Sequence, residues 1–248
     1  MRIFHLISLM FFLVFSLSFS GTGAQAQVDP FVNGSFETGN FTGWTVVQEP
    51  GSAGSWFVYS GDVAPISPHF VLPPPVGVFA AISDQLESSS QVLYQDIDVP
   101  AGLSSECSVI IYYENFAEEF VTAPDLSYTT QPNQQARIDI MDPSAGDFDV
   151  GAGVLLNIFQ TNPGDPISLG YTTINFDLSQ FAGTNVRFRV AEVDTLNYFL
   201  FAIDYVRCGT RDVTRPIPTL GEWGMIAMAG ALGLAGLIFA RRRRVRAA

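Results

Sequence analysis

Val186-Arg187-Phe188-Arg189-Val190 alternates apolar and charged side chains at every step. Only an extended chain sends successive side chains to opposite faces, so this stretch reads as a strand with one dry and one wet side. Arg137-Ile138-Asp139-Ile140 repeats the pattern, and Thr172–Leu178 is a third case. Working outward, Val92–Val99 places Leu93, Ile97 and Val99 on one face, and Cys107–Tyr113 does so for Val109, Ile111 and Tyr113. Phe199–Val206 reads as the last strand. Trp44–Val47, Trp56–Tyr59, Val78–Ile82 and Val154–Phe159 complete a set of about ten, each bounded by Gly, Pro, Asn or Asp. No interior stretch repeats with a helical period. Many short half-buried strands in one domain-sized stretch imply an all-β fold, a two-sheet antiparallel sandwich of jelly-roll type.

The 248-residue chain has a formal net charge of -12. Its basic residues are all Arg, and half of them sit at the two ends, as Arg2, Arg241–Arg244 and Arg246. Residues 27–216 keep six Arg against 23 Asp and Glu. Such a surface repels phosphate backbones and excludes nucleic acid as a partner. The lack of Lys excludes chemistry that needs one, and beyond the N-terminal segment His69 is the single His. Two segments break the strand rhythm: Pro65–Pro75, with five prolines, and the polar run Glu118–Asn133. They read either as plain crossings between sheets or as functional loops. Residues 27–209 are read as the domain and 210–216 as a linker.

The two ends read as addresses. Met1-Arg2, an apolar run from Ile3 to Ser20, and Ala24-Gln25-Ala26 form the pattern of a secretory signal, residues 1–26, cleaved after Ala26. An uncleaved anchor is the alternative. At the other end, 18 apolar residues run from Trp223 to Ala240. As a helix they reach roughly 27 Å, enough to cross a bilayer core of about 30 Å. Gly230, Gly233 and Gly236 would let another helix approach closely. The Arg cluster that follows is retained on the cytoplasmic side, which leaves the acidic domain outside the cytoplasmic membrane.

Just ahead of that span stands Ile217-Pro218-Thr219-Leu220-Gly221-Glu222-Trp223-Gly224. With the span and the Arg cluster, it resembles the IPTL-CTERM sorting signal at every fixed position: Ile217, Pro218, Thr219, Leu220, Trp223 and Gly224. The resemblance implies processing by an exosortase of a Gram-negative bacterium, removal of the tail 217–248, and sorting to the cell surface or extracellular matrix. Pro218 supports part of this on physical grounds, because it blocks helix continuation and keeps the motif extended.

In an exported chain, two cysteines favour a disulfide, Cys107–Cys208. Their places agree, since one starts a strand and the other ends one. One His and two bridged Cys cannot close a zinc site. Glu114, Glu118 and Glu119 lie near a strand end, but no motif marks them as a catalytic pair. No nucleophile elbow, phosphate loop or nucleotide fingerprint is present, so the chain is read as a non-enzyme.

The opening Phe31-Val32-Asn33-Gly34-Ser35-Phe36-Glu37 with Gly43-Trp44, and the late Phe201-Ala202-Ile203-Asp204-Tyr205-Val206, resemble galactose-binding-like jelly rolls. That superfamily includes many carbohydrate-binding modules. The resemblance implies a structural calcium between Glu37 and Asp204. By parity Asp204 shares a face with Leu200, Ala202 and Val206, so it needs a cation, backbone amides or an Arg. Sugar recognition would use exposed aromatic faces. The candidates are Trp56, Tyr59 and Tyr112, with Tyr113 and Tyr128 behind them, while Trp44 reads as core. The expected function is a non-catalytic, glycan-binding surface or matrix protein, with extracellular polysaccharide as its partner. The alternatives are a purely structural matrix component and a glycan hydrolase.

Overall fold

The computed structural model describes residues 29–101 and 103–212. The signal segment 1–26, the motif 217–224, the apolar span and the Arg cluster lie outside the described residues. Among the described residues no helix is long and apolar enough to cross a membrane.

The chain forms β1 (Thr45–Gln48), β2 (Gly54–Tyr59), β3 (Ala80–Gln85), β4 (Ser89–Asp98), β5 (Leu103–Asn115), β6 (Gln134–Met141), β7 (Val154–Gln160), β8 (Ser168–Asp177), β9 (Asn185–Asp194) and β10 (Phe199–Asp212). Every stretch expected to be extended is a strand. One 3-10 turn, Ser179–Phe181, links β8 to β9. Two five-stranded sheets stack as a sandwich, in the orders β1-β4-β9-β6-β7 and β2-β3-β10-β5-β8. Every pairing is antiparallel.

Alternation fills the space between the sheets. Ile138 lies opposite Val190, and Ile140 opposite Phe188. These four are buried together with Leu93, Ile97, Val109, Ile111 and Tyr113 from both sheets. Phe31, Phe36 and Trp44 of the opening segment join them, with Trp44 and Phe31 both edge-on to Phe188.

The outer faces depart from the expectation of half-buried strands. Arg189 and Asp139, on the face opposite the core, are 0% exposed. Asp139 accepts from Arg137 at 2.7 Å and from Arg189 at 2.5 Å. Arg189 also donates to the carbonyl oxygens of Asp147 and Asp149, at 2.8 and 2.6 Å. The connection between β6 and β7 thus folds back over its own sheet. Beside it, Leu126 from the 118–133 segment seals Val92, Ala191 and Val193, and Ser90 Oγ donates to the Leu126 carbonyl. On the other sheet, the proline-rich segment covers Ile82, Tyr112, Leu200 and Ala202 with Ala64 and Val71. Proline suits this task, because it brings no N–H that would need a partner on an apolar face.

β10 carries a bulge between Asp204 and Arg207, where Tyr205 takes a φ of 52°. A bulge inserts one residue and resets the alternation. Val206 therefore does not share the face of Leu200 and Ala202, as simple parity required. It turns into the core, and Cys208 follows it. The reset sets Cys208 opposite Cys107, and the two form the expected disulfide across a sequence separation of 101. β10 also runs on to Asp212, inside the stretch read as a linker.

Candidate functional site

The same bulge builds a groove. Past it, Arg207 faces outward opposite Ser108, which pairs with Asn175 on β8. One rung further, Gly209 lies opposite Glu106, which pairs with Asp177. These two rungs line an open groove of about 670 Å³ on the outer face of β10, β5 and β8. Arg207 stacks over the Tyr205 ring at 4.4 Å and donates to its hydroxyl at 3.0 Å. Asp177 accepts from the backbone N–H and the hydroxyl of Ser179, at 2.7 and 2.6 Å. The groove thus offers guanidinium, amide and hydroxyl donors, carboxylate acceptors, and an aromatic ring at its side. The sequence reading passed over Tyr205 and Arg207. Regular parity hides their direction, and the signal was the unusual Asp-Tyr-Val-Arg-Cys run, polar and apolar out of step.

The aromatic residues expected to stack on sugar are elsewhere. Trp56 is 2% exposed, Tyr59 4% and Tyr112 2%. Trp56 packs edge-on against Phe201 in the core. Tyr59 lies under the proline-rich segment, donating to the Leu72 carbonyl at 2.8 Å, and Tyr112 packs beside Tyr171. Burial pushes both hydroxyls well above their ordinary pKa. None of the three presents a ring face to solvent, because each sheet face they stand on is covered. Tyr113 is also core, and Tyr128 donates to the Pro50 carbonyl at 3.1 Å. Glu114 accepts from Ser168 at 2.8 Å, while Glu118 and Glu119 are exposed.

Glu37 and Asp204 come together where the opening loop meets the bulge. Glu37 accepts from the backbone N–H groups of Val78 and Phe79, both at 2.9 Å. Asp204 accepts from those of Tyr205 at 2.6 Å and Val76 at 3.3 Å. Burial pushes the Asp204 carboxyl up to about 7 against the pull of these amides, and the charge of Glu37 adds to the rise. Gly77, with a φ of +70°, passes so close to Glu37 that a Cβ there would lie 2.4 Å from its carboxyl carbon. Among the described residues no Arg pairs with either carboxylate, and two carboxylates so placed, each held by two backbone amides, suit an oxygen-loving cation.

A second pair of acids was not singled out. Glu192 and Asp194 continue the inward series Val186, Phe188, Val190, and both are buried at one end of the interior. Burial raises both, Asp194 to about 8. Their signal was in plain sight, since two acids stand at core parity in Val190-Ala191-Glu192-Val193-Asp194.

Residues 215–244 match one protein family, described by its motif. The tail carries an IPTL-CTERM motif. The motif implies handling by an exosortase-type system and sorting of an exported protein to the surface, and the disulfide agrees with a place outside the cytoplasm. No curated protein matches the chain in sequence. Among solved structures it is similar to TmCBM61, solved with beta-1,4-galactotriose, at 13% identity over 74% of this chain and 99% of that one, with a TM-score of 0.45. It is also similar to the K1 cleaved adhesin domain of Lys-gingipain from Porphyromonas gingivalis W83, at 14% identity over 74% and 97%, TM-score 0.42. A third is the CBM22-1 xylan-binding domain of a Paenibacillus barcinonensis protein, at 13% identity over 76% and 97%, TM-score 0.39. These are likenesses of fold.

Proposed function

We propose that the mature chain is a non-catalytic, glycan-binding jelly-roll module that an exosortase releases from its tail at the outer face of the cytoplasmic membrane. Released, it resides on the cell surface or in the extracellular matrix, where polysaccharide is its partner. The observation that carries the binding reading is the groove of Arg207, Ser108, Asn175, Glu106 and Asp177 beside Tyr205. Sugar hydroxyls both donate and accept, and this strip offers both on one open face. A calcium ion between Glu37 and Asp204 belongs to the same reading, as a structural tie between the opening loop and β10. A second reading, a structural matrix component without ligand, draws on the burial of Trp56, Tyr59 and Tyr112.

The test is a glycan array followed by titration of any sugar retained. Replacing Arg207 and Asn175 with Ala should weaken binding about tenfold or more, as expected for loss of hydrogen bonds that involve a charged group. Retention of no glycan by the parent supports the structural reading. Binding unchanged by the two substitutions moves the site away from this groove.

A further inference from the structure

Glu192 on β9 and Gln85 on β3 face each other's sheet across one end of the sandwich. Glu192 Oε2 accepts from Gln91 Nε2 at 2.6 Å, but among the described residues Oε1 has no hydrogen-bond partner. Asp194 Oδ1 has none either. Gln85 is 0% exposed; its amide donates to the Phe199 carbonyl at 2.9 Å, and its Oε1 is also without a partner. A Cβ on Gly54 would meet Gln85, Ser89 and Gln91 at once, Gln91 holds Glu192, and Ser89 lies opposite Asp194, so the three orphan oxygens, from a glutamate, an aspartate and an amide, belong to one buried cluster.

Nothing cationic among the described side chains answers them. Arg137, Arg187 and Arg189 are engaged with Asp139, Asp96 and Asp147 on the outer face of the first sheet. Arg207 lies at the groove. Asp84 deepens the negative field, and its own oxygens are taken by the N–H groups of Ile66, Ser67 and Gln85. Buried charge is costly unless it is paired or coordinates a metal.

We propose that Glu192, Asp194 and Gln85 bind a calcium ion at this end of the sandwich. The ligand set is oxygen only, which selects a hard cation, and two carboxylates balance a divalent charge. No group of three or more His, Cys, Asp or Glu among the described residues is arranged for a metal; here an amide oxygen, that of Gln85, joins two carboxylates as the third protein ligand. A pocket of about 170 Å³ lies over Asp194, between the β3–β4 and β9–β10 turns, with Leu86, Leu196, Asn197 and Tyr198 in its wall. It gives the ion an entry and gives water the rest of the shell, which calcium accepts readily and in flexible geometry. β9 belongs to one sheet and β3 to the other, so the ion staples the two sheets together. Glu37 and Asp204 stand on other elements, the opening loop and the bulge.

The experiment is equilibrium dialysis of the mature exported protein against calcium with excess magnesium, counting bound calcium per chain. Glu37→Gln/Asp204→Asn removes the other acid pair. That variant should keep one calcium per chain, and adding Glu192→Gln should abolish it. Gln85→Met keeps both carboxylates and should weaken binding on its own, in the parent as in the variant. Calcium should also raise the Tm of the Glu37→Gln/Asp204→Asn protein, and no longer do so with Gln85→Met added. If Glu192→Gln does not fold, Gln85→Met decides. Calcium binding untouched by Gln85→Met and Glu192→Gln, or none in the parent protein, overturns the proposal.

Discussion

Gly34 touches the last strand so closely that a Cβ there would stand 1.9 Å from the Val206 carbonyl oxygen. In the other direction its own carbonyl accepts from the Val206 N–H at 2.8 Å. This single contact pins the opening loop to the residue just past the bulge. Gly34→Ala should therefore force the two backbones apart and cost about 1–3 kcal/mol, as overpacking does. Gly146, by contrast, has nothing within 4 Å of a Cβ placed there. Gly146→Ala should leave stability unchanged or raise it by about 0.4–1 kcal/mol, through the unfolded chain. Urea unfolding of both variants checks the pair. At this scale the Asn-Gly-Ser-Phe-Glu run was visible in the sequence, but the reason for its Gly was not. That reason is an atom on β10, more than a hundred residues away.

Among the elements, β10 does most to organise the molecule. It pairs with β3 on one side and β5 on the other, and its bulge decides which side chains turn inward. The strand itself was legible, because alternation is a local property of extended chain. The face of each residue past Asp204 was not, because one inserted residue inverts parity for everything after it. The disulfide depends on that inversion. Its closed loop of 101 residues constrains the unfolded chain, and replacing Cys107 and Cys208 with Ala should cost about 2–5 kcal/mol. The unfolding midpoint of oxidised parent and variant in urea measures this. Two alkylatable thiols in the unreduced parent would contradict the bridge. The outer faces teach the same lesson. Arg137, Asp139 and Arg189 read as a wet face, yet they are buried because a loop from their own sheet lies over them.

For the whole molecule, the tail and the domain are separable in logic. Replacing Pro218 and Thr219 with Ala leaves the apolar span and the Arg cluster intact. Insertion should then persist, while release and onward sorting stop. A blot of membrane and surface fractions, in a host with the matching exosortase, reads this directly, and unchanged release would reduce the tail to an anchor. The sorting motif, cysteine count, strand positions and fold class all followed from the order of residues, because each is written in neighbours a few positions apart. The covering of both outer faces, the buried acids with no Arg beside them among the described residues, and the groove of Arg207, Ser108 and Asn175 did not. They arise where segments far apart in the chain meet. Which face a loop covers, and which carboxylate loses its water, is set by packing between those segments, and no local pattern carries that information.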